Sequence, residues 1–169
     1  MKQHRYEIRM TWTGNDGEGT RTYRGYRRDH RIESADKPPI AGSSDPAFRG
    51  DPSRYNPEEL LVASLSSCHM LSYLHLCAVN EVTVLDYHDN ASGVMEERPG
   101  GSGAFVRVLL RPVVTIAGGS DRAKAFALHH EAHGNCFVAN SVNFPVDIAP
   151  EITTAPAPGA DGGSETEAR

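Results

Sequence analysis

The chain has no excess of positive charge, few cysteines and no internal repeat. Its 169 residues carry 17 Lys/Arg against 22 Asp/Glu, a formal charge of −5, which argues against nucleic acid as a main partner. The first 33 residues do hold eight Lys/Arg against five Asp/Glu, but scattered among strand-like positions, as on a solvated sheet face. The opening MKQHRYEIRM lacks the apolar run of a secretion signal, and no stretch reads as long enough to cross a bilayer. The expected location is therefore the cytoplasm, with no membrane partner. Three cysteines, an odd number, do not make a secreted disulfide framework. In a reducing compartment they serve as core fillers, metal ligands or redox groups. No glycine-rich nucleotide loop is present. The length fits one domain with its own core.

What the chain does have is the stretch Asn56 to Asn80, NPEELLVASLSSCHMLSYLHLCAVN. Asn caps, Pro suits only the first turn, and Glu58 and Glu59 sit where the helix dipole favours negative charge. Beyond that turn no Gly or Pro interrupts a mostly apolar run, so the spacing predicts a helix buried on nearly all sides. Cys68 lies in its middle.

Around this helix the pattern predicts an α+β domain over residues 1–152 with mostly antiparallel pairing. Arg5 to Thr13 alternates as a strand, with Tyr6, Ile8, Met10 and Trp12 on one side. Gly14 to Gly17 is a turn, Thr20 to Tyr26 a second strand, and His30 to Ile32 an extension of the sheet. Residues 34–55, rich in Pro, Gly, Ser and Asp, form a long connection of the kind that is usually functional. Val82 to Met95 reads as one strand and Ala104 to Ile116 as another, with Pro112 marking an edge or a bulge. A second helix, capped by Ser120 or Asp121, runs to about His133. Val142 to Ile148 is the last strand. Residues 153–169 are an acidic, Pro/Gly-rich tail expected to be disordered.

Chemistry centres on Cys68 and Cys136, each with a histidine nearby in sequence, His69 and His133. Three readings fit: two buried structural thiols; a metal site of Cys68, Cys136, His129 and His133; or a nucleophilic thiol with a second thiol that resolves it. Cys77 points to the opposite side of the helix from Cys68 and reads as core filler. His129, His130 and His133 read as surface or capping residues, and Glu59 as a solvent-facing charge at the helix start.

The NPEELL opening, Cys68 ten residues after Glu58, and AHGNC ending in Cys136 resemble the OsmC/Ohr family of thiol-dependent organic hydroperoxide reductases, over roughly Trp12 to Pro150. The resemblance implies an intertwined homodimer, its sheet wrapped on two long central helices and its active sites at the interface. It assigns Cys68 as the peroxidatic cysteine, Cys136 as the resolving one, and Glu58 as the partner of an active-site arginine. Where the OsmC branch carries that arginine this chain has Phe48, with Arg49 beside it. The Ohr branch takes its arginine nearer the N-terminus, where Arg28 or Arg21 stands. His69 replaces the usual apolar residue after the reactive cysteine.

Physics adds a constraint. A thiol in mid-helix gains little from the helix dipole, so its activation needs a cation. A glutamate can hold an arginine there by a bidentate pair. Ten helical residues separate Glu58 from Cys68 by about 15 Å. Two such helices packed antiparallel about a two-fold near Ala63 would instead bring Glu58 of one chain beside Cys68 of the other. Met70, Leu71, Phe48 and Phe137 are the candidate apolar wall, favouring an organic hydroperoxide. The reductant is expected to be a dithiol, lipoylated or thioredoxin-like, with no metal, flavin or haem required. A family-fold binding protein without turnover and a Cys/His metal protein are the alternatives.

Overall fold

A computed structural model of the protein describes residues 2–156. The chain divides into two compact units, one ending at Leu61 and one beginning at Val62. In order the elements are β1 (Arg9–Trp12), β2 (His30–Glu33), β3 (Ile40–Gly42), α1 (Pro57–Val79), β4 (Val84–Asp89), β5 (Ser92–Arg98), β6 (Ser102–Leu110), β7 (Pro112–Ile116), α2 (Arg122–Asn135), β8 (Val146–Ile148) and β9 (Glu151–Thr154). The class is α+β, as expected. The expected tail lies outside the described residues from position 157 onward, and β9 extends two residues past Ile152.

In the N-terminal unit β2 lies between β1 and β3, antiparallel to both, with Met10 opposite Ile32 and Trp12 opposite His30. The strand expected over Thr20–Tyr26 does not form. Its carbonyls are taken instead: Arg28 donates to the Tyr23 and Tyr26 carbonyls at 2.7 and 2.6 Å and stacks its guanidinium on both rings. The segment folds on itself, and β2 takes the place beside β1. The 34–55 connection is also more ordered than its composition implies. It contains β3 and a 3-10 turn at Pro46–Phe48, capped by Asp45, whose carboxylate accepts from the Ala47 N–H at 2.7 Å. Beyond the turn, the Ser43 N–H donates to the Tyr55 carbonyl.

Helix α1 begins with a reciprocal cap. Asn56 Oδ1 accepts from the Glu59 N–H at 2.7 Å, and Glu59 Oε2 accepts from the Asn56 N–H at 3.1 Å. Glu59 is thus a cap as well as an exposed charge. The expectation of a helix buried all round is corrected. Only Leu65, His69, Tyr73, Leu76 and Cys77 are buried, while Leu71 and Val79 are 63% and 62% exposed. At 23 residues α1 is also long and apolar enough to cross a membrane, contrary to the expectation that no stretch was. Its buried stripe nevertheless packs into a protein core. Tyr73, Leu76 and Cys77 meet Val114 and Ile116 of β7, Ile152 of β9, and Ala125, Leu128 and Ala132 of α2.

The C-terminal unit holds two three-stranded sheets, β4-β7-β9 and β5-β6-β8. Each long strand expected here is cut into two that serve different sheets. The breaks fall at Asn90–Ala91 and at Arg111. Asp89 Oδ1 accepts from the Arg111 N–H at 2.6 Å, and Arg111 Nη1 donates to the Asn90 carbonyl and to Ser92 Oγ. These bonds pin the two corners together. Pro112 is neither at an edge nor at a bulge. It is the first residue of the central strand β7, a position where a missing N–H is tolerated. Strands β8 and β9 pair parallel with β6 and β7, so two pairings depart from the antiparallel pattern.

Gly93 on β5 marks a close approach. A Cβ there would lie 2.6 Å from Phe105 Cε1 and 2.9 Å from Val62 Cγ2. Gly93→Ala is expected to destabilise the protein by roughly 1–3 kcal/mol through overpacking. Gly134→Ala in α2 meets nothing within 4 Å and is expected to stabilise by up to about 1 kcal/mol. Urea unfolding of the two variants measures both.

Candidate active site

The site is built on the seam between α1 and α2. Asp121 caps α2, its carboxylate accepting from the Lys124 N–H at 3.0 Å, and Cys136 ends the helix with its own N–H on the His133 carbonyl. Along the seam Cys68 meets Cys136, His69 meets His129, and the Tyr73 hydroxyl donates to the Ala125 carbonyl. Positions rise on one helix as they fall on the other, so the two run antiparallel.

The structure therefore brings together the two cysteines that the sequence singled out. Both are free thiols, Cys68 half-buried and Cys136 1% exposed. Burial pushes the Cys136 thiol up to about 11, reinforced by its hydrogen bond with Cys68 and opposed by the Ala139 and Val138 N–H groups. Ala139 donates to Cys136 Sγ at 3.4 Å. Near neutral pH Cys136 is thus a protonated donor facing the Cys68 sulfur. Cys77 is 1% exposed, its thiol also raised by burial, and it sits in the core as expected.

Beside the thiols lies a pair that the sequence did not foretell. His69 Nε2 and His129 Nδ1 are 3.0 Å apart, with the two rings only 1% and 2% exposed. The expectation of a surface role for His129 is wrong: the ring stacks on Tyr73 at 3.7 Å between centroids and 9° between planes. His130 is exposed and His133 half-buried. Burial drives His69 down to about 4 and His129 to about 3. A signal was present in the sequence, since His129, Ala132 and Cys136 recur at helical spacing on one stripe. Among the described residues no group of three or more His, Cys, Asp or Glu is arranged to hold a metal ion. The four-ligand reading fails because His129 Nδ1 faces His69, and Cys136 is engaged by Cys68 and two backbone amides.

In the C-terminal unit Met70 is half-buried, while Leu71 and Phe137 are 63% and 83% exposed. In the N-terminal unit Phe48 is 37% exposed and Arg49 ends the 3-10 turn in the left-handed conformation, φ 68°. Arg28 lines a cavity of about 330 Å³ with Trp12, Tyr26, His30, Ser43 and Pro57. Glu58 is half-buried, and its Oε2 is buried with no hydrogen-bond partner among the described residues. Arg27 and Arg54, by contrast, are committed to the buried Asp29.

With this geometry in hand, the comparisons with known proteins are decisive for the family. A family model for OsmC-like proteins matches residues 50–151. The chain belongs to the OsmC-like family. It is 34% identical to an OsmC-like protein of unknown function from Vibrio cholerae, with a TM-score of 0.79, covering 88% of this chain and 99% of that one. It shares the OsmC fold with an organic hydroperoxide resistance protein from Legionella pneumophila at 18% identity and TM-score 0.63, covering 89% and 99%. A putative organic hydroperoxide resistance protein from Vibrio cholerae, with captopril bound in one of its active sites, matches at 19% identity and TM-score 0.62, covering 89% and 93%. No curated protein matches significantly.

The imidazole pair makes the OsmC-like fold sensitive to acid. In the unfolded chain each ring takes up a proton near pH 6.5, whereas the folded protein keeps both neutral down to about pH 4. Their contribution is fully present above pH 6.5 and is lost as pH falls below it, on the order of 2 kcal/mol per ring by pH 5. Urea titrations at pH 7 and 5 should show this slope, and His69→Leu/His129→Leu should flatten it.

Proposed function

We propose that this protein reduces organic hydroperoxides, with Cys68 as the peroxidatic thiol and Cys136 as the resolving one. The observation that carries the reading is the meeting of two free thiols, distant in sequence, at one helix seam. One is half-buried and approachable, and the other is buried and held protonated against it. The Cys68 thiolate attacks the terminal oxygen of ROOH. The O–O bond breaks, leaving Cys68 as a sulfenic acid and an alkoxide that takes up a proton to give the alcohol. Cys136 sulfur then attacks Cys68 sulfur, and its proton leaves with the hydroxyl as water. An external dithiol, lipoylated or thioredoxin-like, reopens the disulfide. The setting is a reducing compartment, the cytoplasm.

The working unit is a homodimer. Two observations support it: the exposed apolar side chains of α1 and of the N-terminal strand, where Ile8 and Met10 are 65% and 54% exposed, and the unpartnered Glu58 Oε2. A second copy would cover the apolar faces and set Glu58 with an arginine beside its partner's Cys68. Arg28 is the better placed of the two arginines, since it shares a cavity with Pro57 at the foot of α1. Arg49 is the alternative. Met70, Leu71, Phe48 and Phe137 would give the site an apolar wall suited to an organic peroxide.

Stopped-flow oxidation of the reduced protein by cumene hydroperoxide, with intact-mass detection of the disulfide, tests the reading. Oxidation should be faster than with hydrogen peroxide and abolished by Cys68→Ser. Cys136→Ser should leave a sulfenic acid on Cys68 that dimedone traps. Sluggish oxidation by both peroxides, with no disulfide, would overturn the assignment.

A further inference from the structure

We infer that the His69–His129 pair is a proton conduit between the cavity beside α2 and the thiol pair. Two neutral imidazoles carry two ring protons on four nitrogens. The 3.0 Å bond between His69 Nε2 and His129 Nδ1 uses one proton. The other must sit on one of the two outer nitrogens, His69 Nδ1 or His129 Nε2, leaving a bare lone pair on the opposite end. Both outer nitrogens are buried without a hydrogen-bond partner among the described residues. Left so, each carries the desolvation cost of a buried polar group without a partner. Two apolar side chains would fill the same volume without that cost, so a packing role alone does not account for the pair.

An arrangement with a donor at one end and an acceptor at the other passes a proton in one step. A proton arriving at a bare His129 Nε2 lets Nδ1–H pass to His69 Nε2, and His69 Nδ1–H is released. Neither ring needs to hold a net charge, which matches burial that keeps both neutral at pH 7. His129 is among the residues lining a cavity of about 360 Å³ with His130, His133 and Asp147, so the cavity wall lies beside that ring. At the other end His69 directly follows Cys68 on α1, so the second ring is the sequence neighbour of that thiol. The groups facing the pair are Tyr73 from α1, Asp89 from β4 and His133 from α2, with Tyr87 behind Tyr73.

Each passage leaves both rings in the opposite tautomer. Ring flips cannot reset them, because His129 stacks on Tyr73, which is itself tied to the Ala125 carbonyl. The reset must come from a proton returning. The proposed thiol cycle supplies this in balance, and the use of the conduit, though not its geometry, rests on that reading. Oxidation converts Cys68 thiolate, Cys136 thiol, ROOH and one proton into disulfide, ROH and water. Reduction by a dithiol restores thiolate and thiol and releases one proton. One proton enters and one leaves per cycle.

Nitrogen-15 NMR of histidine-labelled protein at pH 7, reduced and then oxidised by diamide, tests this. Diamide forms the disulfide with the same uptake of one proton and needs no peroxidase activity. The expected result is an exchange of tautomers, with the outer N–H moving from one ring to the other between the two states. Unchanged tautomers, or no Cys68–Cys136 disulfide with diamide, would overturn the conduit. A disulfide with diamide but not with cumene hydroperoxide would overturn only the peroxidase reading. His129→Gln should slow disulfide formation by about 100-fold and abolish its solvent isotope effect, whereas His130→Ala should change neither. A His129→Gln protein that is folded by near-UV circular dichroism, yet oxidises at the normal rate, would also count against the proposal.

Discussion

The antiparallel contact of α1 with α2 is the constraint on which the site depends. It sets Cys68 against Cys136, His69 against His129 and the Tyr73 hydroxyl against the Ala125 carbonyl in successive layers. Each layer fixes the next. The Tyr73 hydroxyl holds the ring that stacks on His129, His129 orients His69, and the end of α2 delivers Cys136 with two backbone amides at its sulfur. A shift of one helix by a single turn, about 5.4 Å, would separate every pair at once. The sheets serve this contact by packing β7 and β9 beneath both helices.

Within one chain burial disfavours charge on the seam's histidines and on Cys136. The histidines are driven neutral, the second thiol is driven protonated, and no arginine pairs with Glu58 among the described residues. Low polarity makes each remaining dipole count for more than it would in water. Glu58 Oε2 at the start of α1 is buried without a partner among the described residues, and Leu71 and Val79 further along the helix are exposed.

The helices were legible because local rules decide them, and the cysteine pair because its motifs resemble those of the OsmC/Ohr family. Asn56 and Asp121 cap where capping residues should, and Cys136 falls where the helical pattern stops. The strands were less legible. Val82–Met95 and Ala104–Ile116 look continuous in hydropathy, and only the Asp89–Arg111 corner bonds reveal that each is two strands. Thr20–Tyr26 has strand residues but loses its carbonyls to the Arg28 guanidinium, a contact that no periodicity reports. His129 was misplaced on the surface because histidine more often lies there. Its burial follows from His69, sixty residues away in sequence.

The division of labour between the two thiols is the central claim, and site-resolved alkylation tests it most directly. Reduced protein is treated with iodoacetamide at a series of pH values, and the label on each cysteine is counted by peptide mass. Cys68 should be labelled first at neutral pH, with Cys136 resisting until the pH climbs towards about 11. Cys136 labelled at neutral pH as fast as Cys68 would contradict the account, because the buried thiol would then not be the protonated partner that the seam requires.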